Sequence, residues 1–194
     1  MGSAMTSIDV NFWKTEGINY FRWSTGHEYY EGEENVKAVM EFVGDSPVRD
    51  VGCGYGRLAK NFNPLTYIGF DICESAVKKA TRINPSYRFL PWNFLELPPC
   101  QTTMFINGPH LVNDQEIDQI ILRLCENTNT VVLAEIMERS YRGIPYPYGV
   151  YHRSVEEYDK MFEKLGFVRT KIHIGTHFRL NAPYTVARWD IIRV

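Results

Sequence analysis

The stretch Asp50-Val51-Gly52-Cys53-Gly54-Tyr55-Gly56 constrains this chain more than any other. It follows a short strand candidate, Val48 to Val51. Glycines at such a point let the backbone turn tightly and let a ligand approach where a Cβ would collide. In an open α/β sheet, ligands bind at the carboxyl ends of the strands. Nineteen residues past Gly52, after a second strand candidate at Tyr67 to Phe70, stands Asp71. A carboxylate there can accept both hydroxyls of a ribose. The pattern departs from the dinucleotide fingerprint, because Arg57 fills the third glycine position. It also offers an acid, Asp50, which would repel a pyrophosphate but attract the ammonium of an amino acid. The site suits a nucleoside carrying an amino acid.

The rest of the chain alternates helix and strand patterns around this loop. Val36, Val39, Met40 and Val43 recur at helical spacing from about Glu33. Short helices are predicted over Arg57 to Asn61 and Ser75 to Arg82, and strands over Tyr87 to Leu90 and Thr103 to Ile106. Asn113, with Glu116 three residues on, reads as the N-cap of a helix bearing Ile117, Ile120, Ile121 and Leu124. Thr130 to Ile136 is apolar nearly throughout, as a strand covered on both faces should be. Ser154 and Glu157 form a capping-box pattern for a last helix that Gly166 stops. Two final strands, Phe167 to Ile174 and Tyr184 to Ile192, have too few residues between them for a parallel crossover, which predicts an antiparallel pair. The expectation is α/β: a single doubly wound, Rossmann-like domain with a seven-stranded, mostly parallel sheet and helices on both faces. Residues 33–194 form that domain. Residues 1–32 form an aromatic extension, of which residues 1–4 read as a cloning remnant.

Composition narrows the function. The chain has 194 residues with 21 Lys+Arg against 23 Asp+Glu, a formal charge of −2. That lacks the surplus of cations with which a protein grips duplex phosphates, so a nucleic-acid partner is disfavoured. No apolar run approaches the roughly 20 residues of a membrane helix. The first ten residues lack a signal-peptide layout. Cys53, Cys73, Cys100 and Cys125 form no C-x-x-C pair, which predicts reduced thiols in a cytoplasmic protein.

Taken in order, these motifs resemble class I S-adenosylmethionine-dependent methyltransferases of the small-molecule type, over residues from about 33 to 194. Asp50-x-Gly52-x-Gly54-x-Gly56 resembles the family's first motif, the loop under the methionine and ribose. Tyr67-Ile68-Gly69-Phe70-Asp71 matches the second, whose acid binds the ribose hydroxyls. Phe89-Leu90-Pro91-Trp92-Asn93-Phe94 falls where the family has an aspartate facing the adenine amine; here Asn93 takes that place, and Trp92 or Phe94 can stack on the ring. Phe105-Ile106-Asn107-Gly108-Pro109-His110-Leu111 resembles the fourth motif and its turn. The resemblance thus implies S-adenosylmethionine as cofactor, held by Asp50, Gly52, Gly54, Gly56, Asp71, Ile72, Trp92, Asn93, Phe94 and Asn107. It implies methyl transfer to an O or N of a small-molecule or glycan-like acceptor.

His110 is the candidate general base, and it fits equally well as a histidine packed at a helix start. Tyr20, Arg22, Tyr148, His152 and Arg153 are candidate substrate contacts. Arg153 either binds an anionic group of the substrate or pairs with Glu156 or Glu157. The aromatic N-terminus and the loop bearing Tyr141, Tyr146, Tyr148 and Tyr151 together suit a lid over a cationic sulfonium.

Rival motifs carry less. Pro99-Cys100-Gln101 and Glu34-Asn35-Val36 reproduce two tripeptides of cytosine-C5 DNA methyltransferases but lie in the wrong places along the chain. Asn107-Gly108-Pro109-His110 is not the Asn-Pro-Pro-Tyr type signature for an exocyclic base amine. His173 and His177 read as no metal site, because a strand does not bring i and i+4 onto one face. The remaining alternatives are a methyltransferase that acts on a protein or nucleic acid with a partner chain, and a non-catalytic cofactor-binding subunit. Oligomeric state is left open between monomer and dimer.

Overall fold

The computed structural model describes residues 32–92, 97–141 (141 by its backbone), 151–177 and 180–192. Helix α1 (Glu33–Val43) leads into β1 (Val48–Val51), then β2 (Tyr67–Asp71), α2 (Glu74–Ile83) and β3 (Arg88–Pro91). Next come β4 (Thr102–Ile106), α3 (Ile117–Cys125), β5 (Thr130–Glu135), α4 (Val155–Glu163), β6 (Phe167–Thr176) and β7 (Pro183–Ile191). They build one seven-stranded sheet in the order β3-β2-β1-β4-β5-β7-β6. The first five strands pair in parallel, and β7 lies antiparallel between β5 and β6. The expected antiparallel final pair is present for the expected reason: the short link after β6 allows only a hairpin.

Strands β1, β4 and β5 are buried at every residue. Successive side chains leave a strand on opposite faces, and two cores result. On one face Met104, Val132 and Val186 pack against Val36, Val39 and Phe42 of α1 and Val77 and Ala80 of α2. On the other, Val131, Leu133 and Trp189 pack against Ile117, Ile120 and Ile121 of α3 and Tyr158 and Phe162 of α4. Each buried Val, Leu, Ile, Phe or Met among them contributes about 1.5–3 kcal/mol by leaving water. Edge strand β6 is mostly exposed, and a register shift between Arg169 and Lys171 interrupts its ladder. A charged, bulged edge resists pairing with another sheet.

Two local expectations change. The helix predicted over Arg57 to Asn61 is instead a run of turns ending in a 3-10 turn, Ala59–Asn61. Pro64 lies too close for an α-helix to nucleate, and the chain is already extended at Phe62. The Asn113 turn forms, with the side-chain oxygen accepting the backbone N–H of Gln115 and Glu116, but the regular helix begins later, at Ile117. The Asn113 amide is turned onto the Glu116 carboxylate at 2.9 Å, so this pair closes a turn of its own. The capping box at Ser154 and Glu157 is complete, and Gly166 follows α4 with φ 79°.

Candidate active site

The strand order reverses between β1 and β4, and that is the crevice in which doubly wound sheets bind ligands. The glycine loop leaves β1 here. Gly52 has φ 70°, and a Cβ on it would come within 2.8 Å of the Phe105 ring of β4. A side chain at Gly52 would therefore be strained and obstructed, which explains the glycine without reference to any ligand.

Asp71 ends β2 beside that loop and is 4% exposed. One carboxylate oxygen accepts the Gly54 N–H at 2.7 Å, the other the Cys73 N–H at 2.8 Å. Burial pushes this carboxyl up to about 6, against the pull of the Cys73 and Gly54 amides. The acid thus ties the first and second predicted motifs together. Asp50 is buried on β1 and accepts the Tyr67 phenol at 2.7 Å. Burial, and next the Asp50 charge, push Tyr67 well above its ordinary value, so it stays a donor. Ile72 directly follows Asp71. The Trp92 N–H donates to the Asp71 carbonyl at 2.8 Å, and the Trp92 ring is buried with the core that includes Val51 and Phe70.

At the end of β4, Asn107 takes φ 54°. Its side-chain oxygen accepts the Tyr184 hydroxyl at 3.0 Å, and its N–H donates to Ala134 at 2.8 Å. The chain then enters the 3-10 turn Pro109–Leu111, which carries His110. The N–H of His110 donates to Glu135 Oε2 at 2.7 Å, and its Nδ1 lies 3.1 Å from the same oxygen. The other oxygen, Oε1, accepts the Tyr158 hydroxyl at 2.6 Å. Glu135 is fully buried as the last residue of β5. The ring of His152 stacks on that of His110, centroids 5.2 Å apart and planes 18° apart. Burial, then the neighbouring His110, hold His152 down to about 4, so it is neutral at physiological pH.

Arg153 is 1% exposed and works on this turn from within. It donates to the carbonyls of Pro109, Tyr151 and Val112 and pairs with Asp114 at 2.8 Å. The expected pairing with Glu156 or Glu157 is not what forms. Glu157 closes the capping box and takes Arg139, whose Nε donates to it at 2.7 Å. The backbone adds a further tie, from the Tyr151 N–H to the His110 carbonyl at 2.8 Å. His173 and His177 are engaged separately, the one with Asn35 and the other with the Leu180 N–H.

The structure therefore brings Asp50, Gly52, Gly54, Gly56, Asp71, Trp92, Asn107, His110, His152 and Arg153 to the carboxyl edge of the sheet. Tyr20, Arg22, Asn93, Phe94 and Tyr148 lie outside the described residues, as does most of the expected lid. Glu135 and Tyr158 were not singled out by sequence. Glu135 was hidden in an apolar strand, where its acid was the one available signal; Tyr158 reads as an ordinary core residue of an amphipathic helix.

The fold has clear counterparts. Magnesium protoporphyrin IX methyltransferase from Synechocystis PCC 6803, solved with bound S-adenosylhomocysteine, superposes with a TM-score of 0.74 at 15% identity, over 97% of this chain and 100% of that one. This is the class I methyltransferase fold. A possible histamine N-methyltransferase from Thermotoga maritima matches with a TM-score of 0.70 at 15% identity, over 94% of this chain and 99% of that one. The 1,6-didemethyltoxoflavin-N1-methyltransferase of Burkholderia thailandensis matches with a TM-score of 0.70 at 12% identity, covering 100% of this chain and 94% of that one. No protein-family model matches the chain, and no curated protein matches it in sequence.

Proposed function

We propose that this chain binds S-adenosylmethionine and transfers its methyl group to an O or N of a small-molecule or glycan-like acceptor. The observation that carries the reading is the Asp71 carboxylate, buried at the end of β2 and bonded to the glycine loop through the Gly54 N–H. A carboxylate has about four lone-pair positions. Two face backbone amides here, which leaves capacity for two ribose hydroxyls. The positive φ of Gly52, Gly54 and Gly56 keeps the loop beside it free of side-chain bulk. The residues present therefore fit an adenosyl cofactor.

In this reading Asp50 attracts the cofactor's ammonium, while Ile72, Trp92, Asn93, Phe94 and Asn107 surround its adenosine. Bound S-adenosylmethionine supplies an electrophilic methyl on a sulfonium. The chain's own part is orientation, which at best is worth roughly 7–11 kcal/mol of barrier. His110 takes the acceptor's proton. Tyr20, Arg22, Tyr148 and His152 contact the acceptor, and Arg153, enclosed beneath the His110 turn, serves by holding that turn. The named substrates of the similar structures support a small acceptor: a porphyrin, histamine and a toxoflavin precursor.

Calorimetric titration with S-adenosylmethionine tests the reading. Saturable binding is expected, and its absence would remove the cofactor and the function with it. Binding to RNA or DNA that weakens steeply with salt would instead favour a polymer acceptor.

A further inference from the structure

We propose that Glu135 is a positioning residue for His110: its carboxylate takes the ring's Nδ1–H and so leaves Nε2 as the atom that receives the acceptor's proton. The proposal rests on the reading of His110 as the base.

The geometry begins with the backbone. The N–H of His110 donates to Glu135 Oε2 at 2.7 Å, so that oxygen is fixed relative to the residue whose ring it meets. The ring's Nδ1 lies 3.1 Å from the same oxygen. A carboxylate only accepts, so the Nδ1 facing it must carry a proton. Neutral imidazole has one N–H, and Nε2 across the ring is then the basic lone pair. Tyr158 restrains the far side of the carboxylate by donating to Oε1 at 2.6 Å. The His110 side chain is 14% exposed, and Glu135 is fully enclosed.

Charge makes this more than a packing device. Burying a carboxylate is costly unless donors compensate it, and an uncharged acceptor would satisfy the same donors more cheaply. A buried acid offers in return a counter-charge that matters when the ring becomes a cation. In that step the acceptor's O–H or N–H bond breaks, its electron pair stays on the acceptor atom, and a new N–H forms at Nε2. The positive charge then lies between Glu135 of β5 and the stacked, neutral His152. Tyr158 of α4 is held protonated by burial and by Glu135. Arg153, the buried cation that holds the His110 turn, is paired with Asp114.

The test uses the whole chain saturated with S-adenosylhomocysteine, with long-range 1H–15N NMR of the histidine rings and the rate at which diethyl pyrocarbonate modifies His110, read by mass spectrometry. In the wild type, His110 is expected to carry its proton on Nδ1 and to react at Nε2. Glu135→Gln can keep all three contacts, its carbonyl facing the His110 N–H and ring and its amide donating to the Tyr158 oxygen in a bond of reversed direction. It should keep the tautomer and yet slow the modification several-fold. Glu135→Ala should release the ring and change the tautomer. A proton on Nε2 in the wild type, no modification of His110 there, or equal rates in wild type and Glu135→Gln would overturn the proposal. If S-adenosylhomocysteine fails to bind, the methyltransferase reading falls instead, a result that the titration reports separately.

Discussion

Arg49 and Asp50 follow one another on β1, and their side chains leave the sheet on opposite faces. Arg49 reaches toward the amino end of the sheet, where Nε donates to Thr103 Oγ1 at 2.6 Å and Nη1 to the Pro98 carbonyl at 2.7 Å. Its Nη2 donates to the carbonyls of Leu124, at 2.9 Å, and Glu126, closing the end of α3. Burial lowers its pKa to about 10. Toward the carboxyl end the buried charges carried by strands are instead acids, Asp50, Asp71 and Glu135, and the buried cation there, Arg153, sits off the sheet beneath the His110 turn. The contrast lies in what surrounds each charge. Arg49 is surrounded by carbonyls of its own chain and acts as an internal brace. Asp71 and Glu135 face loops and a turn, where backbone amides and one histidine arrange them around a crevice. Both ends hold a buried charge, so burial alone does not mark a functional residue; the identity of its partners does.

Variants at the two ends should fail in different ways. Arg49→Met removes the brace and strands several carbonyls, and should cost about 3–5 kcal/mol of stability in urea unfolding. The folded fraction should bind S-adenosylhomocysteine as before; a loss of affinity without loss of stability would break the comparison. At the other end, the low pKa of His152 makes stability depend on pH. The fold holds it neutral, whereas the unfolded chain takes up a proton below its ordinary value of 6.5. Stability should be complete above pH 6.5 and decline as pH falls toward 4, by up to about 3 kcal/mol from this group. His152→Phe should flatten that decline in thermal scans, and an unchanged slope would remove the effect from His152. The smallest effect belongs to Asp71. Its carboxyl titrates at about 6, and the protonated form loses acceptor capacity. Affinity for S-adenosylhomocysteine should fall a few-fold as pH drops below that value, and a Kd constant down to pH 5 would contradict the assignment.

The elements that could be read from sequence were those whose physics is local. Apolar β5, the α4 capping box and the helical spacing of α1 fold as their patterns predict, because each pattern is satisfied within its own segment. The glycine loop and Asp71 were legible for a similar reason: positive φ favours glycine, and the strand ends fix the spacing. What could not be read depended on the sheet order. Glu135 meets His110 only because β4 and β5 are neighbours, and Tyr158 reaches it only because α4 packs over that pair. Arg153 was legible as a cation seeking an acid, but Asp114, 39 residues away, became its partner once the two segments were sewn together. The helix expected after the glycine loop failed on a local signal, Pro64, close behind it.

The most direct measurement is a calorimetric titration of the wild type and Asp71→Ala with S-adenosylhomocysteine at neutral pH. Two hydrogen bonds to a charged acceptor are worth about 1.5–3 kcal/mol each. The wild type should bind one equivalent, and Asp71→Ala, titrated well below an unfolding temperature lowered by the loss of the Gly54 and Cys73 hydrogen bonds, should bind it roughly a hundredfold or more weakly. Equal affinities, or no binding by the folded wild type, would contradict a cofactor site at the carboxyl end of β1 and β2.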